Sequence, residues 1–267
     1  MIQLKDDSEK VFAAVAPSIV GQIKEKVSMG QLRTALMMMG FEDMVEVALF
    51  ADILTIKEAY EFDNLVTTEE DFFLTSCCCP VWINLVRKNY PGLFDYMSPS
   101  ISPMIASGRF LKRLYPDSKV VFIGPCTAKK SEAKQPGLDK DIDFVLTFQE
   151  LKNIFDSLEI DIEALHEKEK YHASFAGRVY ARTGGVSLSV KTVVNRIAPN
   201  RVVSLKAKKV DGAKKYINIL DKLKTENFLK SNFIEGMGCD GGCVGGPKTN
   251  IEIENATNLV NEFGENS

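Results

Sequence analysis

Short apolar stretches alternate with amphipathic stretches along this chain, and the alternation restricts the fold more than any other feature. The short stretches are bounded by turn residues, which is typical of strands buried in a parallel sheet. They span residues 44–50, 72–75, 120–124, 144–146 and 202–205. The amphipathic stretches have apolar residues at helical spacing, and they span residues 32–39, 83–90, 110–115, 149–158, 186–197 and 213–224. This order predicts an α/β fold with mainly parallel, twisted sheets flanked by helices.

Length and composition indicate the domain organisation. A chain of 267 residues with 45% hydrophobic residues can bury a full core without disulfide bonds. The sequence contains no internal repeat and no low-complexity segment. Residues 1–267 are therefore predicted to form one domain of two lobes, divided within residues 138–172, either at 138–143 or at 166–172. We expect the functional site in the cleft between the lobes.

Composition also limits the compartment and the partners. Six cysteines and the lack of an apolar leader after Met1 indicate a reducing cytoplasm rather than a secretory route. The apolar stretches are too short to span a bilayer. A net charge of −3 argues against nucleic acid as the main partner, because phosphate binding needs a positive field. One lysine cluster, either a solvated helix face or a docking site for an acidic protein, consists of Lys206, Lys208, Lys209, Lys214 and Lys215.

The cysteines form three groups that lie far apart in the sequence. The groups are Cys77, Cys78 and Cys79, then Cys126, then Cys239 and Cys243. The first two groups directly follow predicted strands, and we expect the same of the third. Ligands of open α/β sheets bind at the carboxyl ends of the strands. The sequence therefore predicts one site that draws thiolates from three separate loops.

Zinc, an iron–sulfur cluster and simple burial are three interpretations of these cysteines. Zinc sites normally use a C-x2-C spacing or nearby histidines, but three residues separate Cys239 from Cys243, and His166 and His172 lie far from every cysteine in sequence. Iron–sulfur clusters take four thiolates at irregular spacing. Glycines around Cys239 would let the backbone approach a bulky inorganic core. A single cysteine is often just a buried thiol, but the three groups together favour a cluster.

Three motifs of the chain resemble the signatures of the iron-only, or [FeFe], hydrogenases. They are residues 75–82 (TSCCCPVW), 125–132 (PCTAKKSE) and 235–243 (EGMGCDGGC). The similarity continues through residues 51–61, 98–103 and 183–186, so that it covers nearly the whole chain. The resemblance implies a catalytic domain that interconverts protons plus electrons and molecular hydrogen. Its cofactor would be an H-cluster, a [4Fe–4S] cubane joined through a cysteine sulfur to a diiron unit with carbonyl, cyanide and a bridging dithiolate that carries an amine.

The resemblance also implies the residues that bind this cofactor. The cubane ligands would be Cys79, Cys126, Cys239 and Cys243, with Cys243 as the bridge to the diiron unit. Lys129 would donate a hydrogen bond to a cyanide, which suits an ammonium group in a dry pocket. The other cofactor-binding residues would be Ser102, Pro125 and Met237.

The first motif has one cysteine more than the usual form of the family, so two alignments are open. Alignment on Pro80 and Trp82 makes Cys79 the ligand and Cys78 the thiol that exchanges protons with the amine. Alignment on the start of the motif would move both roles back by one residue. We prefer the first alignment, because Pro80 and Trp82 are expected to set the start of the following helix. Cys77 then has no role in the family pattern.

The resemblance further implies a path for protons to the buried site. Such a path needs groups with exchangeable protons, each within hydrogen-bond reach of the next. Glu58 and Glu61 are three residues apart on a predicted helix, so both can face one channel. With a family serine at Ser98, the predicted order is Cys78, Glu61, Ser98, Glu58. Without the resemblance, Glu58 and Glu61 would be taken for an exposed helix face.

Several residues depart from the family pattern around the cofactor. Gly124 replaces a methionine, Met104 replaces a glutamine, Leu65 replaces an arginine, and the last motif ends with Gly-Gly-Pro-Lys. No second set of cysteines lies upstream to bind relay clusters. Electrons are therefore expected from a redox partner, such as ferredoxin or an iron–sulfur subunit or domain. Maturation proteins would supply the diiron unit, in the cytoplasm of an anaerobic organism.

Two function classes remain after the sequence analysis. The first is a hydrogenase, including a low-activity or hydrogen-sensing form. The second is a hydrogenase-like protein that binds only a [4Fe–4S] cluster, as in eukaryotic iron–sulfur assembly. Lys129 and a thiol at Cys78 that binds no metal favour the first class, because a bare cubane needs neither.

Overall fold

The computed structural model describes residues 9–75, 78–168, 170, 172–225 and 230–266, and in these residues seven strands form two parallel sheets. The strands are β1 (Val11–Val15), β2 (Asp43–Glu46), β3 (Phe73–Thr75), β4 (Lys119–Gly124), β5 (Phe144–Thr147), β6 (Ala207–Asp211) and β7 (Phe233–Met237). The first sheet has the order β2-β1-β4-β5 and the second has the order β3-β7-β6. All pairs between these strands are parallel. The predicted α/β class is confirmed.

Helices cover both sheets. They are α1 (Met29–Met38), α2 (Ala48–Leu65), α3 (Pro80–Asn89), α4 (Pro103–Leu114), α5 (Ala128–Glu132), α6 (Phe148–Ser157), α7 (Phe175–Arg178), α8 (Gly185–Ile197), α9 (Ala213–Thr225) and α10 (Ile253–Glu265). Short 3-10 helices span Pro17–Ile19, Pro91–Tyr96, Ile162–Ala164, Val179–Ala181 and Gly242–Gly245. Each of the predicted helices is present. Among the described residues, no helix has the length and apolar character needed to cross a membrane.

Strands β3 and β7 of the second sheet are buried on both faces. Alternate side chains of a strand point to opposite sides, and apolar residues cover both sides here. Phe73 and Phe233 pack in one core with apolar residues of α2 and α8. Leu74 and Ile234, the next residues along the same strands, pack on the other side with residues of α3 and α9. A separate core surrounds the first sheet. The second sheet joins β3 to strands that follow residue 200, and the predicted division at 138–172 stays a prediction.

Two predicted strands differ from the structure. The stretch 44–50 is a strand only up to Glu46, because the residues from Ala48 onward belong to the long helix α2. The stretch 202–205 is not a strand, and the strand β6 begins two residues later. The Asn232 side chain binds the Ser204 carbonyl at 3.0 Å and the Lys206 N–H at 2.7 Å, and these bonds occupy backbone groups just before β6.

Two further features differ from expectation. The fully buried strand β1 was not predicted, whereas the fully buried β7 is the strand that was expected before Cys239 without bounds. The lysine cluster is not one helix face, because Lys208 and Lys209 lie on β6 whereas Lys214 and Lys215 lie on α9.

The parallel pairing places the carboxyl ends of β1 and β4 at one edge of the first sheet, and those of β3 and β7 at one edge of the second.

Candidate metal-cluster site

The first cysteine loop connects strand β3 to helix α3. Cys79 caps the amino terminus of α3, and Pro80 occupies the first turn. The Cys79 sulfur accepts a hydrogen bond from the Gly238 N–H at 3.3 Å, which joins this loop to the loop after β7. The buried Trp82 indole donates to the Thr75 carbonyl at 2.8 Å. Pro80 and Trp82 therefore set the start of the helix, and with it the position of Cys79.

Two further cysteines, Cys78 and Cys77, precede Cys79 in this loop. Cys78 is half-buried in the turn before α3, where it faces the other cysteine loops. Cys77 and Ser76 lie outside the described residues. The contacts of Cys79 and Trp82 support the alignment on Pro80, and the absence of a role for Cys77 stays a prediction.

The second loop follows β4 and contains Pro125 and Cys126, after which the short helix α5 begins. On this helix Lys129 and Glu132 are both buried, and the Lys129 ammonium donates to the Glu132 carboxylate at 2.6 Å. Burial by itself would lower the pKa of Lys129, but the charge and hydrogen bond of Glu132 raise it overall. The structure therefore holds a charged lysine beside Cys126.

The third loop follows β7 and carries Cys239 and Cys243 on a glycine-rich backbone. Gly241 and Gly242 have φ angles of +77° and +86°, which only glycine adopts readily, and they lead into the 3-10 helix with Cys243. The Gly241 N–H donates to the Asp211 carboxylate at 2.8 Å. These turns place both sulfurs on one side of the loop, where the first two loops also face.

Two adjoining cavities lie where the three loops meet. The first is lined by Cys78, Cys79, Cys126, Cys239 and Cys243, together with Pro125, Lys129 and Met237. The second is mostly apolar, and its walls include Ala16, Pro17, Val47, Ala51, Met104, Phe122 and Ala181. Cys78, Lys129 and Cys243 line both cavities. The predicted ligands and the predicted lysine are thus brought together, with a second compartment beside them.

Five thiols line the first cavity, and four of them, those of Cys79, Cys126, Cys239 and Cys243, are the predicted cubane ligands. Among the described residues, no group of three or more His, Cys, Asp or Glu side chains could hold a metal ion. Burial raises the pKa of the Cys78, Cys79 and Cys243 thiols, and it raises that of Cys239 to about 11. Without metal these thiols are therefore protonated at neutral pH, and iron must displace their protons.

Ser18 is a site residue that the sequence analysis missed. It lines the second cavity, and its buried hydroxyl has no hydrogen-bond partner among the described residues. Leaving a buried hydroxyl unpaired costs about 1–3 kcal/mol, so a polar group of a bound ligand is the fitting partner. The available signal was the Ala-Pro-Ser sequence directly after β1, at the sheet edge that also carries Cys126.

Ser102, a predicted cofactor-binding residue, lies at the start of helix α4. Its hydroxyl accepts a hydrogen bond from the Ile105 N–H at 3.4 Å and caps this helix. Ser102 lines a third cavity and is not among the residues that surround the two cavities of the cysteine loops. Its predicted role at the cofactor stays a prediction.

The predicted proton carriers Glu58 and Glu61 differ in burial. Glu58 is fully buried on α2 and accepts a hydrogen bond from the Thr75 hydroxyl. Burial is the main cause of the raised pKa of the Cys78 thiol, and the Glu58 carboxylate adds to it. Glu61 accepts from the Ser98 hydroxyl at 2.7 Å, and its side chain is 17% exposed. Glu58 is therefore the more buried carboxylate and Glu61 the more exposed one, and the order of proton transfer stays a prediction.

Comparisons with known proteins agree with this geometry. The fold is similar to that of an [FeFe]-hydrogenase HydA from a structure on stepwise H-cluster assembly, with a TM-score of 0.79 and 22% identity over 96% of this chain and 85% of that chain. Iron hydrogenase 1 of Clostridium pasteurianum is 30% identical over 293 residues, which cover 91% of this chain and 50% of the relative. A probable cytosolic Fe-S cluster assembly factor of Drosophila melanogaster is 23% identical, over 85% of this chain and 59% of the relative.

These relatives include hydrogenases and assembly factors, and the chain spans about half the length of the Clostridium protein. The family model for the C-terminal domain of the iron-only hydrogenase large subunit matches residues 9–247. This match covers most of the chain and contains every cysteine loop of the site. The chain therefore belongs to the family defined by the C-terminal domain of the iron-only hydrogenase large subunit.

Proposed function

We propose that this chain is the catalytic domain of an [FeFe] hydrogenase, which interconverts protons plus electrons and molecular hydrogen at an H-cluster. The observation that carries the proposal is the second, mostly apolar cavity beside the cysteine cavity. Cys78, Lys129 and Cys243 form the wall that the two cavities share. A protein that holds only a cubane needs no such compartment, no buried ammonium group beside it and no fifth thiol.

The residues present fit both parts of the H-cluster. Cys79, Cys126, Cys239 and Cys243 would hold the cubane, and Cys243 is the ligand that also faces the second cavity. When bound, the diiron unit supplies the redox chemistry and a bridging amine that takes up protons. Apolar walls around it exclude water and strengthen each polar contact inside.

The polar groups of the second cavity would orient the diiron unit. The Lys129 ammonium lines this cavity and suits a cyanide ligand, because a charged donor makes a strong hydrogen bond to an anion. The unpaired Ser18 hydroxyl offers a second donor. Pro125 and Met237 line the cubane side.

Four side chains would carry protons between this cavity and solvent. The Cys78 thiol, which lines this cavity, would hold a proton beside the diiron unit, and the buried Glu58 carboxyl would exchange protons with Cys78. The Ser98 hydroxyl and the Glu61 carboxylate, 2.7 Å apart, would form the outer end. Ser98 also lines the third cavity, which is partly open to solvent.

The burial of Glu58 leads to a testable difference between the two carboxylates. Glu58→Gln is expected to lower turnover about 10²- to 10⁴-fold, the usual effect of removing a proton-transfer group. Glu61→Gln should cost less, because water can reach the partly exposed Glu61. Hydrogen evolution with an artificial electron donor measures both effects, while infrared bands report an intact cofactor. A larger loss in Glu61→Gln would support the order Cys78, Glu61, Ser98, Glu58.

The second candidate function is a hydrogenase-like protein that binds only a [4Fe–4S] cluster. Gly124 and Met104, where the family pattern has methionine and glutamine, favour it, because these changes remove usual polar and sulfur contacts near the diiron unit. Met104 lines the second cavity directly. The similarity to an assembly factor of Drosophila melanogaster also supports this alternative.

Infrared spectroscopy after maturation separates the two candidates. The hydrogenase, including a low-activity or sensory form, should show carbonyl and cyanide stretching bands from the diiron unit. A chain that binds only the cubane should show none of them, although it contains iron and sulfide. A spectrum without these bands, from a chain loaded with its cubane, would overturn the proposed hydrogenase.

The proposed reaction needs partners that the chain itself does not provide. Electrons would enter from a redox protein such as ferredoxin, or from an iron–sulfur subunit or domain. Maturation proteins would assemble and insert the diiron unit. We propose the cytoplasm of an anaerobic organism as the compartment, because thiolate-bound iron clusters and free cysteines persist in reducing conditions.

A further inference from the structure

Glu132 is a buried carboxylate of the site, and none of the roles implied by the family resemblance falls on it. It lies one helical turn after Lys129 on α5, and the two charged groups are 2.6 Å apart. Both side chains are less than 10% exposed. Such a pair is costly to bury unless its geometry is good, and removing one partner leaves an uncompensated charge. Lys129 and Glu132 are therefore not an ordinary solvated pair on the surface, and their burial suggests a role at the site.

The two members of this pair face different cavities. Lys129 lines both cavities of the cysteine loops. Glu132 lines the third cavity, of about 200 Å³, together with Ser98, Ser102 and Gln135. The walls of this cavity are mixed, and Arg87 is another charged side chain that lines it. The Glu132 carboxylate thus stands between the third cavity on one side and the Lys129 ammonium on the other.

The charge of Lys129 depends on its surroundings. The other titratable groups that face it are the thiols of Cys78 and Cys126, and Cys243 shares its cavity wall. Burial is the largest influence and lowers the pKa of Lys129, whereas the Glu132 charge and hydrogen bond raise it. Removing the Glu132 charge leaves burial as the main influence, so that the pKa of Lys129 should fall.

We propose that Glu132 is a positioning residue that keeps the Lys129 ammonium charged and aimed into the cofactor cavity, where it can donate to an anionic ligand of the cyanide class. This inference rests on the proposed function for the identity of that ligand. A lysine side chain has several rotatable bonds, and a fixed carboxylate at its end removes much of that freedom. Glu132 would thus act on the cofactor through Lys129 and without touching it.

Three variants test the role of Glu132. Glu132→Gln keeps the shape of the side chain but removes its charge. Glu132→Asp keeps the charge on a shorter side chain and is the conservative variant. Glu150→Gln is the matched control, because Glu150 pairs with Lys130 of the same helix at the same distance of 2.6 Å but on the exposed surface. Glutamine in place of Glu150 also preserves the capping box that Glu150 forms at the start of α6.

The first measurement needs no cofactor. The ¹³Cε chemical shift of Lys129, assigned with Lys129→Arg, reports its protonation in the cluster-free chain as the pH is raised. In the wild type and in Glu132→Asp, Lys129 should stay charged to high pH. In Glu132→Gln it should lose its proton at a clearly lower pH, and in Glu150→Gln it should behave as in the wild type. An unchanged titration in folded Glu132→Gln would overturn the inference.

The second measurement uses the chain loaded with the diiron unit. Glu132→Gln should shift the cyanide stretching bands, make them depend on pH and lower diiron retention about 10- to 100-fold, as is usual when a supporting residue of a metal site is lost. Glu132→Asp should shift the bands without the pH dependence, because the ammonium moves but stays charged. Unchanged cyanide bands in Glu132→Asp would contradict the aiming role, and this test is available even where Glu132→Gln fails to fold. A wild type without cyanide bands would instead overturn the proposed function. The ¹³C titration would still test whether Glu132 keeps Lys129 charged.

Discussion

Replacing Cys126 or Cys239 by serine is expected to abolish the cluster almost completely. Reconstitution of the wild type with iron and sulfide should yield one [4Fe–4S] cluster per chain, because four thiols around the first cavity are in the proposed ligand positions. A serine hydroxyl does not ionise at neutral pH and cannot replace a thiolate ligand. Iron and acid-labile sulfide analysis, with the visible absorption of the cluster, measures the loss.

The matched control for this experiment is Cys78→Ser. Cys78 lines the same cavity as the ligands and is similarly buried, but it has no ligand role in the proposed assignment. It should therefore retain four iron atoms per chain. Stoichiometric zinc in the wild type, or two clusters per chain, would contradict the ligand assignment.

Cys78→Ala is expected to preserve the assembled cofactor while lowering turnover about 10²- to 10⁴-fold, because the thiol that carries protons beside the amine is lost. Cys79→Ala should instead damage cluster assembly, because Cys79 is a proposed ligand whose sulfur accepts a hydrogen bond from the Gly238 N–H. Iron content and infrared bands measure assembly, and hydrogen evolution measures turnover. Cys78→Ala should thus lose turnover, whereas Cys79→Ala should lose the cluster itself.

Cys77→Ala is the control for the alignment of the first motif. With the alignment on Pro80, this change should affect assembly and turnover least. The opposite result, in which Cys77→Ala abolishes turnover with an intact cofactor and Cys78→Ala abolishes assembly, would move each role back by one residue. The start of α3 at Pro80 and the contacts of Trp82 support the first outcome.

Much of the site could be predicted from the sequence, because its elements have strong local patterns. The buried strands β3 and β4 are short apolar stretches next to turn residues, and each is followed directly by a cysteine loop. The glycine-rich segment around Cys239 and Cys243 marked a backbone of unusual conformation, and two of its glycines have positive φ. The first and third cysteine loops follow the paired parallel strands β3 and β7, and they therefore meet at one sheet edge. The loop with Cys126 follows β4 of the other sheet, and only tertiary packing brings it to them.

Other features depend on partners that lie far away along the chain. Strand β6 has mostly exposed residues and is defined by pairing with β7, so its sequence has no strand pattern of its own. Two carboxylates three residues apart on α2 have the same local pattern, and only packing makes Glu58 the buried one and Glu61 the partly exposed one. Ser18 follows a proline in an ordinary turn sequence, and only the fold buries its hydroxyl with no partner in the described part of the chain.

The sequence by itself determined the α/β class, the three cysteine loops and the presence of Lys129, because periodicity, turn chemistry and side-chain type are local properties. Only the tertiary structure decided that the loops enclose two adjoining cavities, and that Lys129 is paired with Glu132 between these cavities and a third one. The physical reason is that burial and electrostatic environment arise from several chain segments at once. A glutamate, a serine or a lysine has the same letter in the sequence whether water or apolar side chains surround its polar group.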